Sequence, residues 1–256
     1  MLDESTNKLL VRGELKLTKP QKLADAKIVA GPDLTDGRGL TIVASGIDVR
    51  NCMVQSNGDD GACIWGPVSG ITIRDCVFMG VHQWPDASDY SRVNKCFVAG
   101  DDPENPDPSH PNWFTVRDCR FGGGFRAPCI RGGTFEFRDC WFGPSRRNVL
   151  TRPRGNFVNC EFVVQVGMKT AGGPNNWSDS ADVFVRPLCV EEPLPDSLRF
   201  SGCKLTVLGP DGVAISSRPA TGSELCRLLD PKAETLVGSN VDVPATTFRK
   251  TLNPRS

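Results

Sequence analysis

A cysteine that returns at a nearly fixed interval constrains this chain more than any other feature. Six segments share one pattern: IDVRNCMV (47–54), ITIRDCVF (71–78), FTVRDCRF (114–121), FEFRDCWF (135–142), NFVNCEF (156–162) and LRFSGCKL (198–205). A weaker seventh is SRVNKCFV (91–98). Alignment puts Cys52, Cys76, Cys96, Cys119, Cys140, Cys160 and Cys203 in one column, at intervals of 24, 20, 23, 21, 20 and 43. The last interval is about twice the others, so one repeat without the cysteine is expected there. Cys226, 23 residues further on, extends the column. A steady period in this range marks a solenoid, whose repeats cannot bury their own faces and must stack.

The chemistry of the column selects the kind of solenoid. Apolar residues alternate within each segment, as in a strand with one buried face. The residue before the cysteine is Asn51, Asp75, Lys95, Asp118, Asp139, Asn159 or Gly202. Most of these tolerate a left-handed backbone, so this position is a bend between two strands. After it, the cysteine and the phenylalanine two residues later (Phe78, Phe121, Phe142, Phe162) turn inward. The leucine ladder of the rival leucine-rich solenoid is missing. The expectation is an all-β chain, a single-stranded right-handed parallel β-helix of roughly eight to nine coils of about 22 residues. Residues 1–30 are read as cap and first coil, 31–226 as the helix, and 227–256 as a C-terminal cap or extended arm.

Hydrophobic content of 39% and charged content of 23% are ordinary for a globular protein. Thirty basic and thirty acidic residues balance, so bulk charge points to no nucleic acid. No apolar run approaches the ~18 residues of a membrane span. The eleven cysteines are mostly regularly placed, which favours reduced thiols packed as small hydrophobes over disulfides or zinc. Cys63, Cys129 and Cys189 stand off the column. They are either packed as well, or exposed thiols that crosslink to a partner.

Arg50, Arg74, Arg117 and Arg138 form a second column beside Asp75, Asp118 and Asp139. It reads as an outer ladder of arginines offset by carboxylates. Residues 117–154 hold nine arginines against three acids, a basic patch suited to an acidic polymer or protein surface. The loop Asp101–Pro108 carries four carboxylates, a solvated turn or a calcium loop. Trp84, Tyr90 and Trp113 either cover the side of the helix or form a platform for sugar rings.

The repeat and the order of segments over residues 28–165 resemble the pectate-lyase-like β-helix superfamily. Arg126-Ala127-Pro128-Cys129-Ile130-Arg131 looks like the R-x-P-x-x-R stretch of the family 1 pectate lyases. The resemblance implies that Arg126 removes the proton α to a uronate carboxylate and that Arg131 binds the carboxylate. Asp60, with Asp59 beside it, stands where that family places a calcium-binding aspartate, and Lys95 could match its substrate-binding lysine. The family's first calcium aspartate falls on Gly58, and no His-containing motif accompanies Asp59 and Asp60. Without the lyase chemistry no cofactor is expected; with it, calcium is.

Bacteriophage tail, collar and decoration proteins use the same fold without chemistry. The opening Met1–Asn7 is polar and acidic, so no export signal is expected, as suits a virion protein made in the host cytoplasm; a lyase would be extracellular. The expected role is therefore a structural or attachment component, homo-oligomeric or bound to other subunits. A polyuronate lyase and a glycan-binding module using Trp84, Trp113 and the basic patch are the alternatives.

Overall fold

The computed structural model describes residues 2–3, 8–30, 38–56, 60–80, 95–100, 112–122, 128–143, 148–151, 154–165, 187–190, 197–209 and 211–228. The first strands are β1 (Leu2–Asp3), β2 (Lys8–Arg12), β3 (Leu15–Leu17), β4 (Gln21–Ala24) and β5 (Ala26–Ala30). Next come β6 (Leu40–Ile42), β7 (Ile47–Arg50), β8 (Met53–Ser56), β9 (Asp60–Trp65), β10 (Ile71–Arg74) and β11 (Val77–Gly80). The middle of the chain carries β12 (Lys95–Gly100), β13 (Trp113–Arg117), β14 (Arg120–Gly122), β15 (Cys129–Arg131), β16 (Thr134–Arg138) and β17 (Trp141–Phe142). Then follow β18 (Asn148–Thr151), β19 (Arg154–Val158), β20 (Glu161–Gln165), β21 (Leu188–Val190), β22 (Leu198–Ser201) and β23 (Lys204–Leu208). The last described elements are β24 (Ala214–Pro219), the short helix α1 (Gly222–Leu225) and β25 (Cys226–Leu228).

The chain is all-β, and its strands fall into three sheets that each take every third strand in chain order. The first sheet has ten strands, β1-β2-β5-β8-β11-β14-β17-β20-β23-β24. The second has eight, from β3 through β6, β9, β12, β15, β18 and β21 to β25, and the third has seven, from β4 through β7, β10, β13, β16 and β19 to β22. Pairing is parallel throughout, except that β1 on β2 and β24 on β23 are antiparallel and close the two ends of the first sheet.

The bends lie where the sequence puts them, between the third sheet and the first. Asp25, Asn51, Asp75, Asp118, Asp139 and Asn159 have φ between 49° and 55°, and Gly202 has φ 64°. A left-handed backbone costs most residues roughly 1–2 kcal/mol, and short polar side chains or glycine bear it best. The side chains also link one bend to the next: Asn51 Nδ2 donates to Asp25 Oδ1 at 2.5 Å and Asn159 Nδ2 to Asp139 Oδ1 at 3.1 Å.

After each bend the cysteine turns inward. Cys52, Cys76, Cys119, Cys140, Cys160 and Cys203 are at most 3% exposed and carry free thiols. Each thiol can donate to a carbonyl near the bend, as Cys76 Sγ does to Arg74 O at 3.0 Å and Cys203 Sγ to Phe157 O at 3.4 Å. A side chain of this size with a weak donor suits the corner. Burial pushes the Cys119 thiol up, which keeps it protonated. Phe78, Phe121, Phe142 and Phe162 stack in the next inward column, with centroids 5.2, 5.0 and 4.9 Å apart. One continuous cluster of buried side chains runs from Leu17 to Cys226.

Three details of the repeat differ from expectation. Cys96 is not a bend cysteine: it lies within β12 in the second sheet, where β12 pairs with β9 and Lys95 is a strand residue facing Asp60 in register. It faces the core nonetheless, and burial pushes its thiol up. With Cys96 removed from the column, Cys76 is followed by Cys119, since Val77 pairs with Arg120. The long intervals before Cys119 and Cys203 are therefore each one repeat with a long connection, because only one strand of each sheet falls in each. Cys226 is likewise in the second sheet, paired with Leu188. The described strands make seven such bends, against eight strands stacked in the second sheet. Ala26, facing the place of Cys52, takes the cysteine's position in the first repeat.

Candidate functional site

The outer face of the third sheet is solvated, with partly exposed or exposed side chains along each of its strands. Its strands alternate strictly: Ile71 and Ile73, or Phe114 and Val116, point to the core, while Thr72, Arg74, Trp113, Thr115 and Arg117 point out. In-register pairing stacks the outward residues into rows about 4.8 Å apart from strand to strand.

One row is Arg50, Arg74, Arg117 and Arg138, as the sequence indicates. Its partners differ from those expected. The carboxylates in ion-pair contact with it are on the neighbouring row, while the bend carboxylate Asp75 acts on Arg50 through space. Arg50 is held by Asp48 on its own strand, which keeps the Asp48 carboxyl below the ordinary range. Glu136 serves both Arg138 at 3.2 Å and Arg117 at 3.5 Å. The neighbouring row reads Asp48, Thr72, Thr115, Glu136, Asn156 and Arg199. Two threonines therefore sit between two carboxylates, and Arg74 is opposite that gap. Arg74 makes no contact ion pair among the described residues, though its charge acts on Asp48, and its Nε is buried without a hydrogen-bond partner.

A third row holds Trp113, Thr134 and Arg154. Trp113 is 52% exposed, which is unusual for a ring of that area. Toward the N-terminus the row continues through Gly70 and Gly46, both with left-handed φ (65° and 70°), so these two positions place no side chain beside the indole, and Pro20 is the next side chain in the row.

The other residues singled out in the sequence distribute unevenly. Arg126, Trp84, Asp59 and the loop 101–108 lie outside the described residues. Arg131 ends β15 and is exposed, with its backbone between Gly100 and Thr151. It belongs to the second sheet, while Arg117, Arg138 and Arg154 belong to the third, so the basic stretch is divided between faces. Asp60 opens β9 beside Lys95. Among the described residues no group of three or more His, Cys, Asp or Glu is arranged to hold a metal ion, and no helix is long and apolar enough to cross a membrane.

Cys63 and Cys129 overturn the exposed-thiol expectation. Both are 0% exposed, and Cys129 packs with Val98 and Trp65 in a small cluster outside the main core. They flank Val98 in register on the far side of the second sheet. A crosslinking reagent or partner thiol has no access to them. Cys189 lies in β21, in register between Val149 and Arg227.

The sequence reading missed the Thr72–Thr115 gap. Its signal was present in the repeat: the residue two before the arginine is Asp, Thr, Thr, Glu in successive segments. No family model, characterised protein or solved structure matches the chain.

Proposed function

We propose that the three sheets close into one right-handed parallel β-helix that acts without catalysis, as a structural or attachment component of a larger assembly such as a phage virion, joined to further copies of itself. The observation that carries this reading is how the stack finishes at its N-terminal end. Val11, Leu15 and Leu23 point toward the core but are only partly buried. Their successors Val49, Ile73, Val116, Phe137 and Phe157 in the Leu23 column are all 0% exposed. Leu9 is 48% exposed. β3 and β4 are also edge strands of their sheets, with backbone groups that no further described strand takes up. An open edge beside half-buried apolar side chains is a surface made to be covered. The opposite end of the first sheet is finished by β24, antiparallel and exposed along its length, which blunts that edge.

The test is the mass of the purified protein by light scattering across concentrations, with Leu9→Glu as the variant. The wild type is expected to be a closed oligomer, and the variant to dissociate with its melting temperature little changed, since Leu9 is already half in solvent. A wild type that stays monomeric at high concentration overturns the reading. Calcium-dependent release of unsaturated product from polygalacturonate would overturn the non-catalytic part.

A further inference from the structure

The row of carboxylates on the third sheet lacks a member where the row of arginines keeps one. Arg50, Arg117 and Arg138 each meet a carboxylate of the chain. Arg74 makes no such ion pair and acts on Asp48 only through space; the neighbouring row opposite it holds the hydroxyl-bearing pair Thr72 and Thr115, stacked in register on adjacent strands. A guanidinium with a buried, unsatisfied Nε is an incomplete polar site. It gains most from a carboxylate, which accepts charge-assisted bonds from the guanidinium and further bonds from two hydroxyls. Two residues along β13 from Thr115, on the same face, is Trp113, about 7 Å away by the strand rise. The glycine positions beside it leave room for a flat ligand against its side.

We propose that Arg74, Thr72 and Thr115, with Trp113 beside them, form a subsite for a carboxylated sugar: the carboxylate fills the gap in the ladder and the pyranose ring packs on the indole. Charge on this face argues against a long polyanion as ligand. Asp75 and Asp118 are exposed at the bends flanking Arg74 and Arg117, so the positive potential is confined to one place. A nucleic acid needs an uninterrupted basic stripe along its backbone, and among the described residues the arginine row of this face is interrupted by the charges of Asp48 and Glu136. The subsite is on the third sheet, apart from Arg131 on the second, and does not depend on the oligomeric state.

The experiment is titration of the full chain by calorimetry with an oligouronate and, separately, with a sialylated oligosaccharide. These are two sources of the same carboxylated ring. A neutral oligosaccharide of equal length and a single-stranded oligonucleotide are the controls. At least one carboxylated sugar is expected to bind, about tenfold or more tighter than either control. Arg74→Gln and Trp113→Ala should each weaken it about tenfold. Thr115→Glu is the decisive variant. It gives Arg74 and Arg117 an internal carboxylate, as Glu136 does for Arg138, so binding should be lost while the melting temperature holds or rises. Arg218→Gln, at the other end of the sheets, should bind as the wild type does. Binding of neither sugar, equal binding of the oligonucleotide or of the neutral sugar, or undiminished binding by folded Thr115→Glu would each overturn the assignment.

Discussion

The second and third sheets are built from strands of the same polypeptide repeat, yet they meet their surroundings differently. In the third sheet burial alternates residue by residue, as in Ile71–Arg74, where two side chains are buried and two are partly exposed. In the second it does not: all of Leu40–Ile42 is buried, and so are Ala62, Cys63 and Ile64, and Phe97, Val98 and Ala99. Ala62, Ile64, Phe97 and Ala99 belong to the main core, while Val98 and Cys129 belong to the separate cluster behind the sheet, and Cys63 lies in register beside Val98. A parallel sheet covered on both faces selects continuous apolar runs; one covered on a single face selects alternation. The third sheet thus has a solvated face on which ligand-binding groups can be arranged, and the second carries a second layer of packing.

The sharpest way to break this comparison is to place a carboxylate on the outward side of each sheet. Val98→Asp puts it at a site 1% exposed and should destabilise the protein by about 3 kcal/mol or more, from lost apolar burial and an uncompensated polar group. Thr115→Asp puts it on the third sheet and should change stability by no more than about 0.5 kcal/mol. Urea unfolding of the two variants beside the wild type measures both. Equal costs would mean that the second sheet is not covered on its outer side.

The same contrast explains what could be read from the sequence. The third sheet and the bends were legible because alternation followed by Asp, Asn or Gly and then Cys is a local pattern with a local cause. The bend residues Asn51, Asp75, Asp118, Asp139, Asn159 and Gly202 all take the backbone that the pattern requires. The second sheet was poorly legible. KCFVAG has no alternation, so spacing from Cys76 alone points to a bend at Cys96, and nothing local to Cys63 and Cys129 distinguishes a packed thiol from an exposed one. Spacing misled again where a connection is long, because a repeat with an insertion and two plain repeats give the same interval. The candidate site was half legible. Its arginine column was visible, but which carboxylates pair with it depends on register across strands, and so did the vacancy opposite Arg74.

A smaller effect concerns the cysteine corner, which separates the first sheet from the third. Cys119 is 1% exposed and donates to Arg117 O at 3.0 Å. Cys119→Ser keeps the donor but puts a more polar group into an apolar corner, so a loss of roughly 1–3 kcal/mol is expected. Thermal unfolding measures it. In the native wild type the column thiols and those of Cys63 and Cys129 should resist alkylation until denaturant is added, in both sheets alike. Rapid native labelling of Cys63 alone would show the cover of the second sheet to open by itself.

The smallest effect expected is at Asp48, on the solvated face, and its sign follows from the direction of its titration. The hydrogen bond from Arg50 holds the Asp48 carboxyl below its ordinary value of 3.8, against a weaker opposing effect of burial. A carboxylate whose pKa is lower folded than unfolded contributes stability above the unfolded value and loses it as pH falls through the folded one. The contribution is therefore fully present at neutral pH and fades below about pH 4. Asp48 and Arg50 are in contact with water, with side-chain exposures of 19% and 43%, so solvent screening keeps the contribution under about 1 kcal/mol. Asp48→Asn should lower the melting temperature slightly at pH 7 and by a smaller amount at pH 3, where the wild type has already lost part of the pair. It also leaves Arg50 in the condition of Arg74, a ladder arginine without its carboxylate. If Asp48→Asn instead cost as much at pH 3 as at pH 7, the side chain would be acting through its shape or its hydrogen bonds rather than its charge, and the contrast drawn between Arg50 and Arg74 would lose its electrostatic basis.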